Sequence, residues 1–421
     1  MTSYKEEGLT ESIIRNSKKI GFHTPGHGGK LDDVFSFCDV TELSYTDNLI
    51  YPCGKIIDLE KKLASVYNAE ACFISTQGAT HNVHQAVYAT KDDGDFLIIG
   101  KAHVSVYNAM RLFGVNCYHV DTADNLVLPD SVKTVIVTSP DYFGNCLDLK
   151  KIRETIKNRT LIVDSAHGSH FAFSNELPDS ATEYGDLVIL SLHKTLPVAT
   201  GGSVLCVKKR YFDKALLYRK LAHTTSPSFV TLCTIERAVN EFSVDGERIY
   251  LDIKRKVAEF KGALRNGFRA EDNDDFSRVV ISSPYDGVKV SEYLEKKGFV
   301  AEMSYESKVV LIVTKYNAEY LKPLAEALNE AKDLPLYEGK LFPFTKHVTP
   351  VKLFFGGEAE RIAVKDAKGR RAFAEIGFYP PGVPLVYAGE VVTEEVIDLF
   401  CNKNCATNAF GLENGAVYVL K

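Results

Sequence analysis

Short, continuous apolar runs alternate with helical stretches through the first half of this 421-residue chain. An apolar run without alternating polar residues is typical of a strand buried on both faces, as in a parallel sheet covered by helices. The pattern therefore predicts an α/β fold with a mostly parallel sheet. The predicted strands are 71–74, 96–99, 135–138, 161–163, 187–190 and 204–207, and the predicted helices include 57–67, 105–113, 148–157 and 211–221.

A longer helical stretch, at about 230–269, is expected to link the sheet to a second unit. Periodicity there predicts strands at 279–281 and 309–313 and helices at 288–297 and 318–331. We expect an N-terminal arm over 1–55, a large domain over 56–260, and a smaller α+β C-terminal region over 261–421.

The composition argues against several functional classes. The chain is 45% hydrophobic and 25% charged, and its net charge of −5 is too small to indicate a nucleic-acid or membrane-surface binder. No apolar run approaches the roughly 20 residues that span a bilayer, and the polar first residues do not resemble a signal peptide. The nine cysteines lack zinc-motif spacing, so we expect no metal site, and reduced thiols fit a cytoplasmic protein.

Two of the predicted strands end in residues that can carry chemistry. Asp164 follows the run 161–163, and Lys194 follows the run 187–190. Ligands of open α/β sheets bind beyond the carboxyl ends of strands, where both residues are expected. A lysine can form a Schiff base with pyridoxal phosphate (PLP), and a carboxylate can keep the pyridine nitrogen protonated. A surface lysine and a helix-capping aspartate are the alternative explanations.

Further short motifs follow one another in a consistent order along the chain. Together they resemble the fold-type-I, PLP-dependent ornithine/lysine/arginine decarboxylases, in their shorter biosynthetic form. The motifs are Phe22-His23-Thr24-Pro25-Gly26-His27, Gln77-Gly78-Ala79-Thr80, His103-Val104-Ser105, Asp164-Ser165-Ala166-His167, Ser191-Leu192-His193-Lys194 and Tyr379-Pro380-Pro381-Gly382.

The resemblance implies a PLP-dependent transferase fold of the aspartate aminotransferase type, with a seven-stranded sheet in the large domain. It also implies PLP as the cofactor, an amino acid as the substrate, and a homodimer with shared active sites.

The resemblance also implies roles for individual residues. Lys194 and Asp164 would hold PLP, and His103 would stack on its ring. His193 is a candidate for contacting the phosphate or donating a proton, and His167 for lining the substrate side. Ordinary structural histidines and a plain strand-to-helix turn are the alternatives. Phosphate binding is expected from amides and hydroxyls of Gly78, Ala79, Thr80 and Ser191.

The predicted reaction is decarboxylation of arginine, lysine or ornithine to the corresponding amine. None of the motifs contains an arginine that could clamp a substrate carboxylate, which favours decarboxylation over transamination. Another fold-type-I reaction and a catalytically silent PLP-binding paralogue remain alternatives. Arg237, Arg361, Arg370 and Arg371 are distant arginines that can still fold into the site, and Glu42, Asp47 and Glu302 are candidates to meet the distal cation of the substrate.

Overall fold

The computed structural model describes residues 20–22, 47–124, 126–339, 346–379, 382–401 and 409–421. Most of the predicted N-terminal arm therefore lies outside the described residues, together with Glu42 and the motif residues 23–27, 380 and 381.

The secondary structure follows the predicted alternation. The strands are β1 (Ile20–Phe22), β2 (Ala71–Ser75), β3 (Asp95–Ile99), β4 (Cys117–Val120), β5 (Val132–Thr138), β6 (Thr160–Asp164), β7 (Leu187–Leu190), β8 (Ser203–Val207), β9 (Arg269–Ala270), β10 (Arg278–Ser282), β11 (Phe299–Ala301), β12 (Met303–Tyr305), β13 (Lys308–Ile312), β14 (Val351–Lys352), β15 (Ala359–Ala363), β16 (Ile376–Phe378), β17 (Val383–Val386), β18 (Ala409–Phe410), β19 (Leu412–Glu413) and β20 (Ala416–Leu420). The α-helices are α1 (Lys55–Val66), α2 (Gly78–Thr90), α3 (Val104–Phe113), α4 (Leu149–Ile156), α5 (Leu192–Thr195), α6 (Phe212–Ala222), α7 (Phe229–Ala263), α8 (Gly287–Lys296), α9 (Leu321–Glu330) and α10 (Glu394–Cys401).

The main sheet has the strand order β14-β4-β3-β5-β6-β7-β8-β2. Strands β4, β3, β5, β6 and β7 are parallel to one another, whereas β8 is antiparallel to both β7 and β2. The predicted α/β, mostly parallel architecture is confirmed. The short strand β14 pairs with β4 and extends the expected seven strands to eight. Strand β4 is missing from the sequence prediction because its polar Tyr118 and His119 interrupt a run of only four residues.

The continuous apolar runs exist because both faces of the sheet are buried. In β6, Leu161 and Val163 belong to one buried cluster, and Ile162 belongs to a second cluster. Successive side chains of a strand point to opposite faces, so each run supplies two cores at once. Helices on both faces exclude water from the sheet and leave its strand ends as the place for a polar site.

Helix α7 ends at Ala263, so the prediction that it continues to residue 269 is wrong. Leu264 is already extended, and Asn266 and Gly267 both have left-handed φ values, of 59° and 86°. An Asn-Gly pair is a turn signal, and it outweighs the apolar periodicity that the prediction followed.

The C-terminal part contains a four-stranded antiparallel sheet, β12-β13-β10-β9, and two three-stranded sheets. Its predicted strands and helices near 280, 290, 310 and 325 are present as β10, α8, β13 and α9. Residues of this part between 264 and 331 share a buried cluster with the main sheet, while Val417 and Val419 belong to a separate cluster. The domain boundaries proposed from the sequence stay predictions. In the part of the chain that the structure describes, no helix is long and apolar enough to cross a membrane.

A buried ion pair fixes the strand that leads into α2. Glu60 on α1 is 7% exposed and Arg219 on α6 is 2% exposed. The Arg219 guanidinium lies 2.5 Å from Glu60 Oε1, and the same oxygen accepts a 3.0 Å hydrogen bond from the amide of Ile74 in β2. Removing one partner of such a pair leaves a buried charge without compensation.

We therefore expect Arg219→Met to lower the free energy of unfolding by about 3–5 kcal/mol. Arg255→Met is the matched control, because the Arg255 side chain is 58% exposed in its own ion pair and should cost about 1 kcal/mol or less. Urea-induced unfolding measures both variants. Equal losses for the two would contradict a structural role for the buried pair.

Candidate active site

Asp164 and Lys194 lie at the same edge of the main sheet. Asp164 is the last residue of β6 and pairs in register with Ile189 of the adjacent parallel strand β7. Lys194 follows in α5, the short helix that begins directly after β7. Asp164 is only 5% exposed, and its Oδ1 accepts a 3.2 Å hydrogen bond from the amide of Ala166. The two strand ends therefore bring an acid and a lysine together, as their spacing in the sequence predicts.

A chain of three basic side chains begins at Lys194. Its Nζ lies 2.9 Å from Nε2 of His167, and Nδ1 of His167 lies 2.6 Å from the guanidinium nitrogen Nη2 of Arg278. His167 and Arg278 are buried. The ring of Tyr142 lies 4.5 Å from the His167 ring and 5.8 Å from Lys194 Nζ.

The surroundings weaken the basicity of this chain. Burial lowers the pKa of the Lys194 amine, and the positive charge of Arg278 lowers it further, although the carboxylates of Asp164 and Glu302 act in the opposite direction. Burial likewise brings the pKa of His167 well below its ordinary value, helped by the charges of Lys194 and Arg278. Both groups are thus weaker bases than they would be in water.

His103 is the N-cap of α3 and belongs to the same site. Its Nδ1 accepts a 3.1 Å hydrogen bond from the amide of Ser105. Burial lowers the pKa of His103 to about 4, and the charge of Lys194 contributes to this shift. Tyr379 and Gly382 pack against the His103 ring, and the carbonyl of Gly382 accepts a 2.8 Å hydrogen bond from Val104. Tyr379 and Gly382, which flank the two prolines in the sequence, therefore reach this site within one chain.

The start of α2 is open towards solvent. Its N-cap, Gln77, provides no side-chain hydrogen bond, and a Cβ on Gly78 would meet no atom within 4 Å. The amide of Gly78 donates a 2.8 Å hydrogen bond to the carbonyl of Gly201. Ala79 is half-buried and Thr80 is exposed, so amides of the first turn are available for an anion.

His193 is tied to the same glycine turn. Its Nδ1 lies 3.2 Å from the carbonyl oxygen of Gly202 and 3.3 Å from the hydroxyl of buried Ser191. A carbonyl oxygen can only accept, so Nδ1 carries the hydrogen. The 201–202 turn thus joins the predicted phosphate residues of α2 to those that precede Lys194.

The structure adds residues that the sequence analysis did not place in the site. Arg278, which was not among the four arginines considered from the sequence, enters it, and Tyr142 packs on His167. Neither residue lies in a recognised motif, so only three-dimensional packing identifies them.

The structure distinguishes between the acidic residues that were candidates to bind the distal cation of the substrate. Glu302 accepts a 3.3 Å hydrogen bond from the Tyr142 hydroxyl and raises the pKa of Lys194. Asp47 instead accepts hydrogen bonds from the amides of Asn48, Cys53, Gly54 and Ile56, which fits a loop-forming residue. Glu42 lies outside the described residues.

Comparison with known proteins gives a consistent family assignment. The family models "Orn/Lys/Arg decarboxylase, major domain" and "Orn/Lys/Arg decarboxylase, C-terminal domain" match residues 127–289 and 342–411, together more than half of the chain. A Bacillus subtilis arginine decarboxylase is 25% identical, over 98% of this chain and 96% of its own length. The uncharacterized protein YaaO of the same organism is 26% identical, over 93% of this chain and 92% of its own.

A solved structure of a lysine decarboxylase has a similar fold. The solved structure of lysine decarboxylase A from Pseudomonas aeruginosa superimposes with a TM-score of 0.73 at 17% sequence identity. The match covers 98% of this chain and 80% of that one. This likeness supports a PLP-transferase-like fold with a mixed, mostly parallel large sheet.

The close packing of the 201–202 turn can be tested by adding one methyl group at Gly201. Gly201 has a φ of +95°, and a Cβ there would lie 2.5 Å from the carbonyl oxygen of Thr76. Gly298 has a similar φ of +92°, but a Cβ there would meet nothing within 4 Å. We expect Gly298→Ala to cost about 1–2 kcal/mol of unfolding free energy from the backbone alone. Gly201→Ala should cost about 1–3 kcal/mol more, because the loop before α2 must move. Equal costs in urea-induced unfolding would contradict the close packing of this turn.

Proposed function

Because the chain belongs to the Orn/Lys/Arg decarboxylase family, a family of PLP-dependent amino-acid decarboxylases, we propose that it releases CO2 from a basic amino acid. The main support is the convergence of Asp164 and Lys194 at the ends of adjacent parallel strands, with His167 hydrogen-bonded to the lysine. Arginine is the first substrate to test, since several relatives at 24–25% identity are named arginine decarboxylases.

The residues around Lys194 fit PLP. Lys194 would hold the aldehyde carbon, and Asp164 would hold a proton at the pyridine nitrogen, because a buried carboxylate with one backbone hydrogen bond can still accept another. His103 would cover a face of the ring. Bound PLP supplies a ring that accepts the electron pair released when the bond from Cα to the carboxylate breaks.

The uncapped start of α2 fits the phosphate. Amides of Ala79 and Thr80 would donate to its oxygens, while the Gly78 amide stays bonded to the Gly201 carbonyl and the missing side chain of Gly78 leaves room for the phosphate. The positive end of a 13-residue helix also favours negative charge. His193 contacts Gly202 of the 201–202 turn and Ser191 contacts His193, and both residues would complete this subsite.

His167 is the residue best placed to move protons. Its Nε2 faces Lys194 Nζ at 2.9 Å, so a proton can pass between the two groups without large motion. Burial lowers the pKa of both groups, so a proton that either one accepts is readily passed on.

The distal cation of the substrate would meet Glu302. Among the described residues, Asp164 and Glu302 are the carboxylates whose charge raises the pKa of Lys194 most, and Asp164 is assigned to the cofactor. The Tyr142 hydroxyl donates to Glu302 and orients its carboxylate. A second cationic group on the substrate would therefore find a negative partner near the reacting amine.

A homodimer with shared active sites and a cytoplasmic location remain predictions from the family resemblance. Light scattering of the purified protein measures the first of these directly.

The proposed function predicts CO2 release from arginine, lysine or ornithine when PLP is supplied. Lys194→Ala should abolish this release and the absorbance of the lysine-bound cofactor, because no other group can replace the amine. Lys332→Ala, at an exposed site, is the matched control and should retain full activity. Absence of CO2 from all three amino acids with wild-type protein that binds PLP would contradict decarboxylation.

Asp164→Asn tests the partner of the pyridine nitrogen. The amide is nearly the same size but cannot stabilise a proton on the ring, so we expect kcat to fall by about 100-fold or more while some PLP remains bound. Steady-state rates and the cofactor absorbance measure the two effects separately. Near-normal turnover would exclude the assigned role.

A further inference from the structure

Arg278 is an unusual residue for its position. It is 2% exposed and ranks among the largest fully buried side chains. Among the described residues, no carboxylate forms an ion pair with it, and its Nη1 has no hydrogen-bond partner. The buried carboxylate of Asp275 lies close enough for Arg278 to lower its pKa, but it does not contact the guanidinium. A buried charge without a directly bonded counter-ion is expensive, so a fold that keeps one is expected to use it.

The packing around Arg278 holds it in one place. Its stem packs against Gly144, where a Cβ would lie 2.8 Å from Cβ of Arg278. Asn273 Nδ2 bridges the carbonyls of Phe143 and Arg278 at 2.7 and 2.6 Å. The loop that carries Tyr142 is thus fastened to the start of β10, and the guanidinium is aimed at His167.

The donors and acceptors available to Arg278, His167 and Lys194 determine where the hydrogens between them lie. A guanidinium only donates, so Nδ1 of His167 must accept from Arg278. A neutral imidazole then carries its hydrogen on Nε2, which can only donate to Lys194 Nζ. The Lys194 nitrogen must accept, and only an unprotonated amine has a lone pair to do so.

An ammonium at Lys194 would break this arrangement. It could donate to Nε2 only if the hydrogen of His167 moved to Nδ1, where it would face an N–H of Arg278 at 2.6 Å. Two donors would then oppose each other in a buried site.

We propose that Arg278 is a positioning residue that fixes His167 in the Nε2–H tautomer and thereby keeps the Lys194 amine unprotonated and ready to form an imine. This inference deepens the proposed function and rests on the role given there to Lys194. Arg278 contacts His167 rather than the reacting atoms, so it acts through its neighbour.

Other charged groups near Lys194 also influence the protonation of its amine. Asp164 and Glu302 favour the ammonium, whereas burial and Arg278 oppose it. His103 and His193 also lie close enough to affect the same cluster. Removing Arg278 leaves both carboxylates in place, so the balance must shift towards protonated Lys194 and its pKa must rise.

Competitive acetylation of the full chain without PLP measures this shift directly. The protein is treated with trace acetic anhydride between about pH 6 and pH 11, and the labelling of Lys194 is compared with that of exposed Lys332 by mass spectrometry. Three variants separate charge from hydrogen bonding. Arg278→Met removes both, Arg278→Gln keeps a donor without charge, and Arg278→Lys keeps a charged donor.

We expect Arg278→Met to move the labelling curve of Lys194 to higher pH, with relative labelling about tenfold lower near neutral pH. Arg278→Gln should lie between that variant and wild type, and Arg278→Lys should lie closest to wild type. Curves for Arg278→Gln and Arg278→Met that both coincide with wild type would overturn the inference. Should Arg278→Met fail to fold, the Arg278→Gln curve alone decides the matter.

The labelling needs neither cofactor nor turnover, so its outcome is independent of the decarboxylase assay. A shifted curve in a protein that releases no CO2 would contradict the proposed reaction and leave the role of Arg278 intact. Unshifted labelling curves in a protein that does release CO2 would contradict the role of Arg278 and leave the proposed reaction intact.

Discussion

The site depends on the parallel alignment of β6 with β7. Because the two strands are adjacent and run in the same direction, their last residues emerge at one edge of the sheet, and a carboxylate and a lysine meet there. Apolar side chains on both faces bury these strands, so the pair lies where water is scarce and electrostatic interactions are strong. The parallel pairing of two buried strands thus determines the position of Lys194 and contributes to the lowered pKa of its amine.

Polar groups near this edge are held by several elements rather than by loops alone. His167 is supported by Arg278 from β10, and His103 by the segment around Gly382. The start of α2 rests on the glycine turn before β8. Arg278 and Gly382 both belong to the C-terminal part, so the site contains side-chain and backbone supports from outside the main sheet. Such packing fixes side-chain geometry and limits the reorganisation that a reaction would otherwise require.

Much of this arrangement could be read from the sequence, for identifiable reasons. Continuous apolar runs reveal strands buried on two faces, and the residue after such a run must lie at a strand end, which is why Asp164 and Lys194 were found. The reversal of β8 could not be predicted, since an antiparallel central strand has the same apolar composition as a parallel one. Arg278 and Tyr142 could not be found either, because their roles follow from side-chain packing between distant segments. Glu302 was only one of three acidic candidates, and its hydrogen bond with Tyr142 distinguishes it from Asp47.

The most direct test of the central claim is chemical trapping of the cofactor. The protein is loaded with PLP, reduced with borohydride, digested and analysed by peptide mass spectrometry. A phosphopyridoxyl group on Lys194 is the expected result, because this amine lies with His167 and Asp164 at the ends of β6 and β7. Labelling of a different lysine, or stoichiometric binding of PLP with no reducible bond, would contradict the assignment of this strand edge as the active site.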